Sequence, residues 1–319
     1  MRIGLIDVDG HNFPNLPLMK ISAYHKAQGD VVEWYEPFKA LAEGEYDKVY
    51  MSKVFSFTPD YTYPVYAKEV HKGGTGYAIK LENNIEVFHT ENDTMLPDEI
   101  EHQYPDYSIY GITDTAYGFL TRGCPRGCEF CHVKAKEGAR AYKVADLKEF
   151  WSGQSEIVLN DPNILACKDH IELLEQLAES GATVEFNQGL DVRLITERNL
   201  EVLRRIKLKR IHFAYDRYKD KELVEAKLKA FKEATNYGRD KIMVYILTNF
   251  ETTIPEDIER IQFVRSLGYQ PYVTIYNKRS CDKIHRELQR WCNPYIFWKC
   301  ATFEEYKNQR KGKQSNGEE

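Results

Sequence analysis

Apolar and polar positions alternate at two periods in the first 90 residues. Short β-rich runs predict strands at residues 2–9, 30–36, 46–55 and 69–77, of which the first has the features of a buried strand and the last runs into a glycine turn. Between the first two, residues 17–29 carry apolar side chains at helical spacing and end on Gly29, a good helix stop. Strand, helix and strand at this spacing predict a small parallel, doubly wound sheet.

The same alternation returns from residue 116 with a longer period. The predicted strands are residues 116–121, 156–161, 183–188, 210–216, 241–249 and 270–277. Amphipathic stretches with helical periodicity separate them, and two of these end on a glycine just before the next strand, as a helix C-cap should. Six strands, each followed by a helix, predict a partial (β/α)6 TIM-like barrel within the α/β class.

These patterns predict four regions along the chain. Residues 1–90 form the doubly wound domain, and residues 91–115, which are polar with scattered prolines, form a linker. Residues 116–300 form the partial barrel. Residues 301–319 form a C-terminal tail, whose polar residues 307–319 we expect to be disordered.

Length and charge narrow the classes of partner. The 319 residues open on an apolar run without the pattern of a secretory leader, and no apolar run approaches the roughly 20 residues of a membrane span. We therefore expect a cytoplasmic protein with reduced thiols and no membrane partner. The formal net charge of −5 argues against a nucleic acid polymer as partner and leaves a small-molecule substrate.

Polar residues follow the predicted strands of the second region. In parallel barrels the chemistry lies at the carboxyl ends of the strands. The pairs at those ends are Asn160–Asp161, Asn187–Gln188, Asp216–Arg217, Thr248–Asn249 and Tyr276–Asn277. Strand ends are solvent-exposed and often polar for that reason alone, but five such pairs around one rim favour a binding site.

Three of the seven cysteines lie within eight residues, with the spacing C-x3-C-x2-C. Cys124, Cys128 and Cys131 are one ligand short of a structural zinc site, and three thiols cannot all pair in disulfides. Iron–sulfur clusters normally take four cysteines, so a cluster held by three leaves one iron open to a substrate or cofactor. The alternative is a zinc site completed by His132 or Cys167, although chelation by the adjacent Cys131 and His132 is geometrically poor.

This motif, with Phe130 before the last cysteine and in a loop after the first barrel strand, resembles the radical S-adenosylmethionine (SAM) superfamily. The resemblance covers roughly residues 112–300. It implies a [4Fe–4S] cluster held by the three cysteines, with the amino and carboxylate groups of SAM on the fourth iron. Reductive cleavage of SAM then yields a 5′-deoxyadenosyl radical that abstracts hydrogen from a substrate. An electron donor such as flavodoxin or ferredoxin is implied as a partner.

The resemblance also implies which side chains contact SAM. Phe130 would lie beside the adenine, and Asp216 would accept hydrogen bonds from the ribose hydroxyls. After the second barrel strand the family often has two glycines and an acid that bind the methionine amino group. Asn160 and Asp161 stand there instead, which departs from the pattern but keeps polar oxygens at that place.

The third barrel strand leads into a dense polar cluster, Gln188, Asp191 and Arg193. Arg193 would pair with the cofactor carboxylate, since guanidinium is the preferred bidentate partner of a carboxylate. The alternative is that Asp191 and Arg193 form a local ion pair at the start of a helix. As exposed rim positions, they are expected to contribute little to stability.

The first domain resembles the cobalamin-binding-like domain that precedes the barrel in one large subgroup of the superfamily. A Gly-Gly turn often follows the fourth strand there, and residues 73–76 read Gly-Gly-Thr-Gly here. The Asp-x-His-x-x-Gly cobalamin motif is absent and the segment is short, which favours a degenerate domain without a corrin.

The overall layout is similar to the queuine lyases, which implies a modified 7-deazaguanine base as substrate. Two alternatives stay open: a cobalamin-dependent radical SAM methyltransferase, and a non-catalytic, metal-stabilised binding protein.

Overall fold

The computed structural model describes residues 1–315, with side chains described up to residue 310. The chain divides into two compact units, Met1–Leu159 and a second that begins at Asn160. This division reflects the density of contacts along the chain, and the domain boundaries expected at residues 90 and 116 stay predictions.

The first unit contains the parallel sheet expected from residues 1–90. Its strands and helices are β1 (Arg2–Asp7), α1 (Leu16–Ala27), β2 (Val31–Trp34), α2 (Pro37–Glu43), β3 (Tyr46–Ser52) and β4 (Ala67–Gly73). The strand order is β2-β1-β3-β4 and all neighbours are parallel. The order reverses direction between β1 and β3, as in doubly wound sheets.

The remaining elements of this unit are short. They are α3 (Thr75–Ala78), β5 (Ile79–Glu82), β6 (Ile85–Phe88), α4 (Asp98–Glu101), β7 (Thr115–Gly118), β8 (Thr121–Arg122), α5 (Val133–Glu137), β9 (Tyr142–Lys143) and β10 (Glu156–Leu159). Ile100 of α4 is buried with Ile3, Leu5 and Leu18 in one core cluster. Part of the segment expected to be a linker is therefore packed against the N-terminal sheet.

The second unit supplies most of the other sheet. Its elements are α6 (His170–Ser180), β11 (Thr183–Leu190), α7 (Glu197–Leu203), β12 (Lys207–Ala214), α8 (Lys221–Thr235), β13 (Ile242–Thr248), α9 (Ile254–Ser266), β14 (Gln270–Ile275), α10 (Lys283–Cys292) and α11 (Phe303–Ser315). The six strands β7, β10, β11, β12, β13 and β14 form one parallel sheet in chain order. All six predicted strands, the parallel sheet and the α/β class are confirmed.

The C-terminal region differs from its prediction. Residues 307–315, expected to be disordered, continue α11, and residues 316–319 lie outside the described residues. Phe303 and Tyr306 are buried, and the Phe303 ring lies 5.5 Å from the ring of Trp291. Two apolar anchors at the start of a polar segment therefore extend the fold, an effect that composition alone does not predict. Within residues 1–315, no helix is both long and apolar enough to cross a membrane.

Candidate functional site

The three cysteines lie on a loop whose two ends are held together. β8 and β9 pair in antiparallel fashion, with Arg122 opposite Tyr142, so the loop of residues 123–141 leaves and rejoins the fold at one place. Cys124 and Cys128 are half-buried, whereas Cys131 is exposed. The thiols therefore lie on an irregular loop, and the place where its two ends meet is called its neck below.

Glycine is required at the neck of this loop. Gly123 has φ +78°, and a Cβ there would lie 2.0 Å from the carbonyl oxygen of Arg140. The Cys124 N–H donates to the carbonyl of Gly138 at 3.2 Å, which joins the two sides of the loop. A larger residue at position 123 would push these sides apart.

Glu137 fastens the same neck electrostatically. Its carboxylate accepts from the Gly123 N–H at 3.0 Å and from the Arg122 guanidinium at 2.9 Å. The Arg122 guanidinium lies 3.6 Å from the ring centroid of Phe119. Because the Glu137 side chain is nearly buried, this charge-assisted pair fixes the strand that leads into Cys124.

The three cysteine thiols of the loop are the type of ligand that an iron–sulfur cluster takes. Cys124, Cys128 and Cys131 are soft sulfur ligands on one loop, and Phe130 beside them is half-buried. In the part of the chain that the structure describes, no three Cys, His, Asp or Glu side chains are close enough together to hold a metal ion.

The fourth ligands of the zinc alternative fit less well. Cys167 is 1% exposed, and burial raises the pKa of its thiol, which disfavours the thiolate that binds metal. The His132 ring lies 6.4 Å from the Phe88 ring, and its Nε2 is 3.8 Å from a carboxylate oxygen of Glu86. His132 therefore already has neighbours in the β5–β6 hairpin.

In the second unit, a bulge shapes the end of β11. Phe186 pairs with Ile211, but the next pair along the ladder is Gly189 with His212, so Asn187 and Gln188 are looped out of the register. Gln188 is exposed. The Asn187 side-chain amide donates to Asn160 Oδ1 at 3.0 Å, and Asp161 beside it is buried. The structure thus brings Asn160 and the bulge together.

Arg193 lies between two carboxylates. Its Nε donates to Asp191 Oδ1 at 2.7 Å, its Nη2 donates to Asp191 Oδ2 at 3.2 Å, and its Nη1 donates to Asp220. Asp191 is only 7% exposed, so the expectation of an exposed rim position is wrong for this residue. Asp191 and Arg193 form the local ion pair that the sequence left open, which leaves a cofactor contact by Arg193 as a proposal.

Substitution of Arg193 separates these roles. We expect Arg193→Lys to keep a cation near Asp191 and Asp220 and so to retain most of the stability, while losing the planar fork that binds a carboxylate in bidentate fashion. If Arg193 binds SAM, the KM for SAM should rise about tenfold or more in 5′-deoxyadenosine assays. An unchanged KM together with a lower melting temperature would assign Arg193 a purely structural role. Asp191→Asn serves as the matched variant, because it weakens the ion pair without removing the guanidinium.

Asp216 follows β12 and is the titrating group of this region. Burial raises the pKa of its carboxyl from 3.8 to about 6, and the cations of Arg260 and then Arg193 oppose the rise. The N–H of Leu247 hydrogen bonds to it. Above this pKa the carboxylate is ionised and can accept hydrogen bonds from hydroxyl groups, as the ribose role requires.

The raised pKa of Asp216 predicts a pH dependence of stability. Between about pH 4 and pH 6 the folded state binds more protons than the unfolded state. The protonated carboxyl therefore gives its full contribution to the free energy of unfolding below about pH 4, and that contribution is lost as the pH rises through about 6. Asp216→Asn should remove that loss. Relative to wild type, the variant should gain at most about 3 kcal/mol between pH 4 and pH 7. Denaturant unfolding of both proteins at matched pH values checks this, and a difference that does not vary with pH would contradict it.

Sequence reasoning missed His212, which lies in the sheet beside the bulge. It is 5% exposed, its Nδ1 is 2.7 Å from the carbonyl oxygen of Phe186, and its ring stacks nearly parallel to that of Tyr245, with the centroids 5.2 Å apart. Since a carbonyl only accepts, Nδ1 carries the proton, and burial lowers the pKa of the ring. The signal was present, because His212 stands between the buried apolar Ile211 and Phe213 in the middle of β12.

Sequence reasoning also missed Arg260, which is fully buried in α9. Its guanidinium donates to the carbonyl oxygens of Tyr215 and Leu247 and pairs with Asp257. It therefore ties the carboxyl ends of β12 and β13 to α9, directly beside Asp216. An arginine three residues after an aspartate in an amphipathic helix usually lies at the surface, which is why the pattern did not single it out.

Neither the models of known protein families nor the curated proteins contain a match to this chain.

Proposed function

We propose that this chain is a radical SAM enzyme that abstracts hydrogen from a small polar substrate. In this proposal the six-stranded sheet is the wall of a partial (β/α)6 TIM-like barrel, and residues 1–90 form a degenerate cobalamin-binding-like domain. The protein would act in the cytoplasm and receive electrons from a flavodoxin or ferredoxin.

The observation that carries the proposal is the cysteine loop. Cys124, Cys128 and Cys131 occupy a loop closed by β8 and β9, directly after the first strand of a sequentially ordered parallel sheet. The Glu137 clamp and the close approach at Gly123 hold its neck. These three residues would hold a [4Fe–4S] cluster, which when bound supplies the electron for reductive cleavage of SAM.

In this proposal, side chains of the protein bind SAM and orient it. Phe130 offers a half-buried ring for the adenine, and Asp216 offers an acceptor for the ribose. Asn160 and Asp161 supply oxygens for the methionine amino group. Arg193 would bind the methionine carboxylate by exchanging part of its contact with Asp191, and Gln188 is exposed at the bulge, where it can donate and accept.

The proposed substrate class is a flat polar base such as a modified 7-deazaguanine, as in a queuine lyase-like reaction. The polar strand ends and the bulge supply donors and acceptors that would match the edge of such a base. The same groups would match other polar metabolites, so the substrate is the part of the proposal that needs screening against free bases.

Anaerobic purification with metal and chromophore analysis tests the proposal. We expect about four irons and four sulfides per chain and formation of 5′-deoxyadenosine from SAM after reduction. Stoichiometric zinc without iron would overturn the proposal in favour of a metal-stabilised binding protein. Bound corrin, or co-elution of one hydroxocobalamin per chain after reconstitution, would favour a cobalamin-dependent methyltransferase instead.

A further inference from the structure

The strands β11 to β14 of the second unit have one face covered by helix and another that carries small and polar side chains. In β12, Ile211 and Phe213 are fully buried, and the Phe213 ring packs edge-on against Phe231 of α8 with the centroids 5.0 Å apart. Successive side chains of a strand point to opposite faces of the sheet. His212 and Ala214 therefore lie on the face opposite α8.

Two tyrosines continue this second face on the neighbouring strands. Ala214 pairs with Tyr245 of β13 in the ladder, and Tyr245 pairs with Tyr272 of β14. The Tyr245 ring stacks nearly parallel to the His212 ring at 5.2 Å and meets the Tyr272 ring edge-on at 5.7 Å. Burial, and after it the neighbouring Tyr272 phenol, raise the pKa of Tyr245. Its hydroxyl therefore stays protonated at neutral pH and can donate a hydrogen bond.

Two small residues leave space beside the Tyr245 ring. Gly189 of β11 and Ala214 are only half-buried, although both lie within the sheet. A Cβ built on Gly189 would have only two heavy atoms of the described residues within 4 Å apart from its chain neighbours, Ala214 Cβ at 3.7 Å and Tyr245 Cδ2 at 3.9 Å. These residues form a shallow recess, with Gly189 and Ala214 as its floor and the Tyr245 ring as one wall.

His212 provides a hydrogen-bond acceptor next to this recess. Its Nδ1–H donates to the carbonyl oxygen of Phe186 at 2.7 Å, so the lone pair of the ring is on Nε2. Among the described residues Nε2 has no hydrogen-bond partner, and it is not one of the fully enclosed side-chain atoms, so it opens to solvent although the residue is only 5% exposed. Burial lowers the pKa of His212, which keeps the ring neutral at neutral pH. The backbone thus fixes Nε2 as an acceptor for the N–H of a ligand.

The charged side chains nearest the recess offset each other. Glu185 lies opposite Arg210 in the ladder between β11 and β12, and its carboxylate is 3.2 Å from Lys209 Nζ. Glu185 raises and Arg210 lowers the pKa of both His212 and Tyr245. The residues that line the recess itself are uncharged at neutral pH, so the recess suits a neutral ligand.

We propose that this recess binds a neutral, planar heterocycle with a ring N–H. The N–H donates to His212 Nε2, and the plane of the ligand lies over Gly189 and Ala214 beside the Tyr245 ring. A 7-deazaguanine base has this combination of groups. Assignment of the recess as the substrate site rests on the proposed function, whereas binding of the base does not require it.

Calorimetric titration of the full-length protein, without SAM or reductant, tests the recess. The two ligands are 7-deazaguanine and a derivative of it that is methylated at both ring N–H groups. We expect 7-deazaguanine to bind and the derivative to bind at least about tenfold more weakly, because its ring cannot donate to Nε2. His212→Phe keeps a flat ring beside Tyr245 but removes the acceptor. It should weaken 7-deazaguanine about tenfold or more and leave the derivative little changed.

Two further variants make the test specific. His170→Phe is the matched control, because the Nδ1 of His170 also lies 2.6 Å from a backbone carbonyl oxygen, that of Cys167, but on α6. It should leave both affinities unchanged. Gly189→Val fills the recess at a position where a Cβ meets no close contact. It should weaken 7-deazaguanine at least about tenfold while the melting temperature stays near that of wild type.

Four results would each overturn the recess. They are the absence of 7-deazaguanine binding at about 1 mM, equal affinity for the two ligands, an equal loss in the His212 and His170 variants, and unchanged binding by Gly189→Val. If His212→Phe does not fold, Gly189→Val alone decides. None of these measurements depends on iron or on 5′-deoxyadenosine, so failure of the recess and failure of the proposed function give different results.

Discussion

Replacing Cys124, Cys128 and Cys131 together by Ala is expected to abolish the iron, the brown chromophore and all formation of 5′-deoxyadenosine. The reason is chemical, because alanine cannot ligate iron and no other cysteine lies on the loop of residues 123–141. The expected effect is complete loss rather than a graded decrease. Iron and sulfide analysis, the visible spectrum and 5′-deoxyadenosine assays on the same anaerobic sample measure it.

Two single substitutions provide matched controls. Cys281 is half-buried outside the loop, and Cys167 is buried with a raised thiol pKa. Cys281→Ala and Cys167→Ala should keep iron content and activity near wild type. Retention of about four irons by the triple variant would show that the loop does not hold the cluster.

The sheets could be predicted because both signals that define them are local. Apolar runs of strand length repeat six times in the second region, and two of the helices between them are followed by a glycine with positive φ, Gly181 and Gly268. The start of β12 was less predictable. Residues 204–210 look like the basic end of a helix, yet β12 begins at Lys207, with Leu208 buried between the exposed Lys207 and Lys209. Basic side chains extend into solvent from a strand as readily as from a helix, so charge did not distinguish the two.

The cysteines of the candidate site could be predicted from the sequence, but the contacts among its other side chains could not. The cysteine spacing is a property of the chain, whereas the bulge at Asn187–Gln188 depends on how β11 pairs with β12. In the same way, Asp191 follows an apolar strand and was expected at an exposed rim. Its burial results from pairing with Arg193 and from the turn that its side chain caps. Such long-range and charge-dependent arrangements leave little trace in periodicity.

Arg260→Met is expected to cause the largest loss of stability among the described side chains of the strand-end network. Both Arg260 and Asp257 are fully buried, and the substitution leaves the Asp257 carboxylate and the carbonyls of Tyr215 and Leu247 without their donor. Breaking a buried pair in this way costs roughly 3–5 kcal/mol. Denaturant unfolding monitored by circular dichroism measures the change.

Arg265→Met is the matched control, because it lies on the same helix and donates to the carbonyls of Cys300 and Ala301 at 2.8 and 3.1 Å while remaining only partly buried. It should cost on the order of 1 kcal/mol. In a double-mutant cycle, Arg260→Met with Asp257→Asn should cost less than the sum of the single variants by about 1–3 kcal/mol, since the second change removes the charge left unpaired by the first. Strict additivity, or a cost below about 1 kcal/mol for Arg260→Met, would contradict the buried-pair interpretation.

Arg260→Met should also change the pKa of Asp216. Arg260 is the leading cation that holds the pKa of this carboxyl down against burial, so its removal should move that pKa above its present value of about 6. The pH range over which ionisation of Asp216 lowers the stability would then extend to higher pH, because its upper end is set by the pKa in the folded state. Comparing Arg260→Met with Arg260→Met/Asp216→Asn across pH 4 to 8 isolates this effect, because every other titrating group is common to both proteins. An unchanged window would mean that Arg260 supports the strand ends only through its hydrogen bonds and not through its charge.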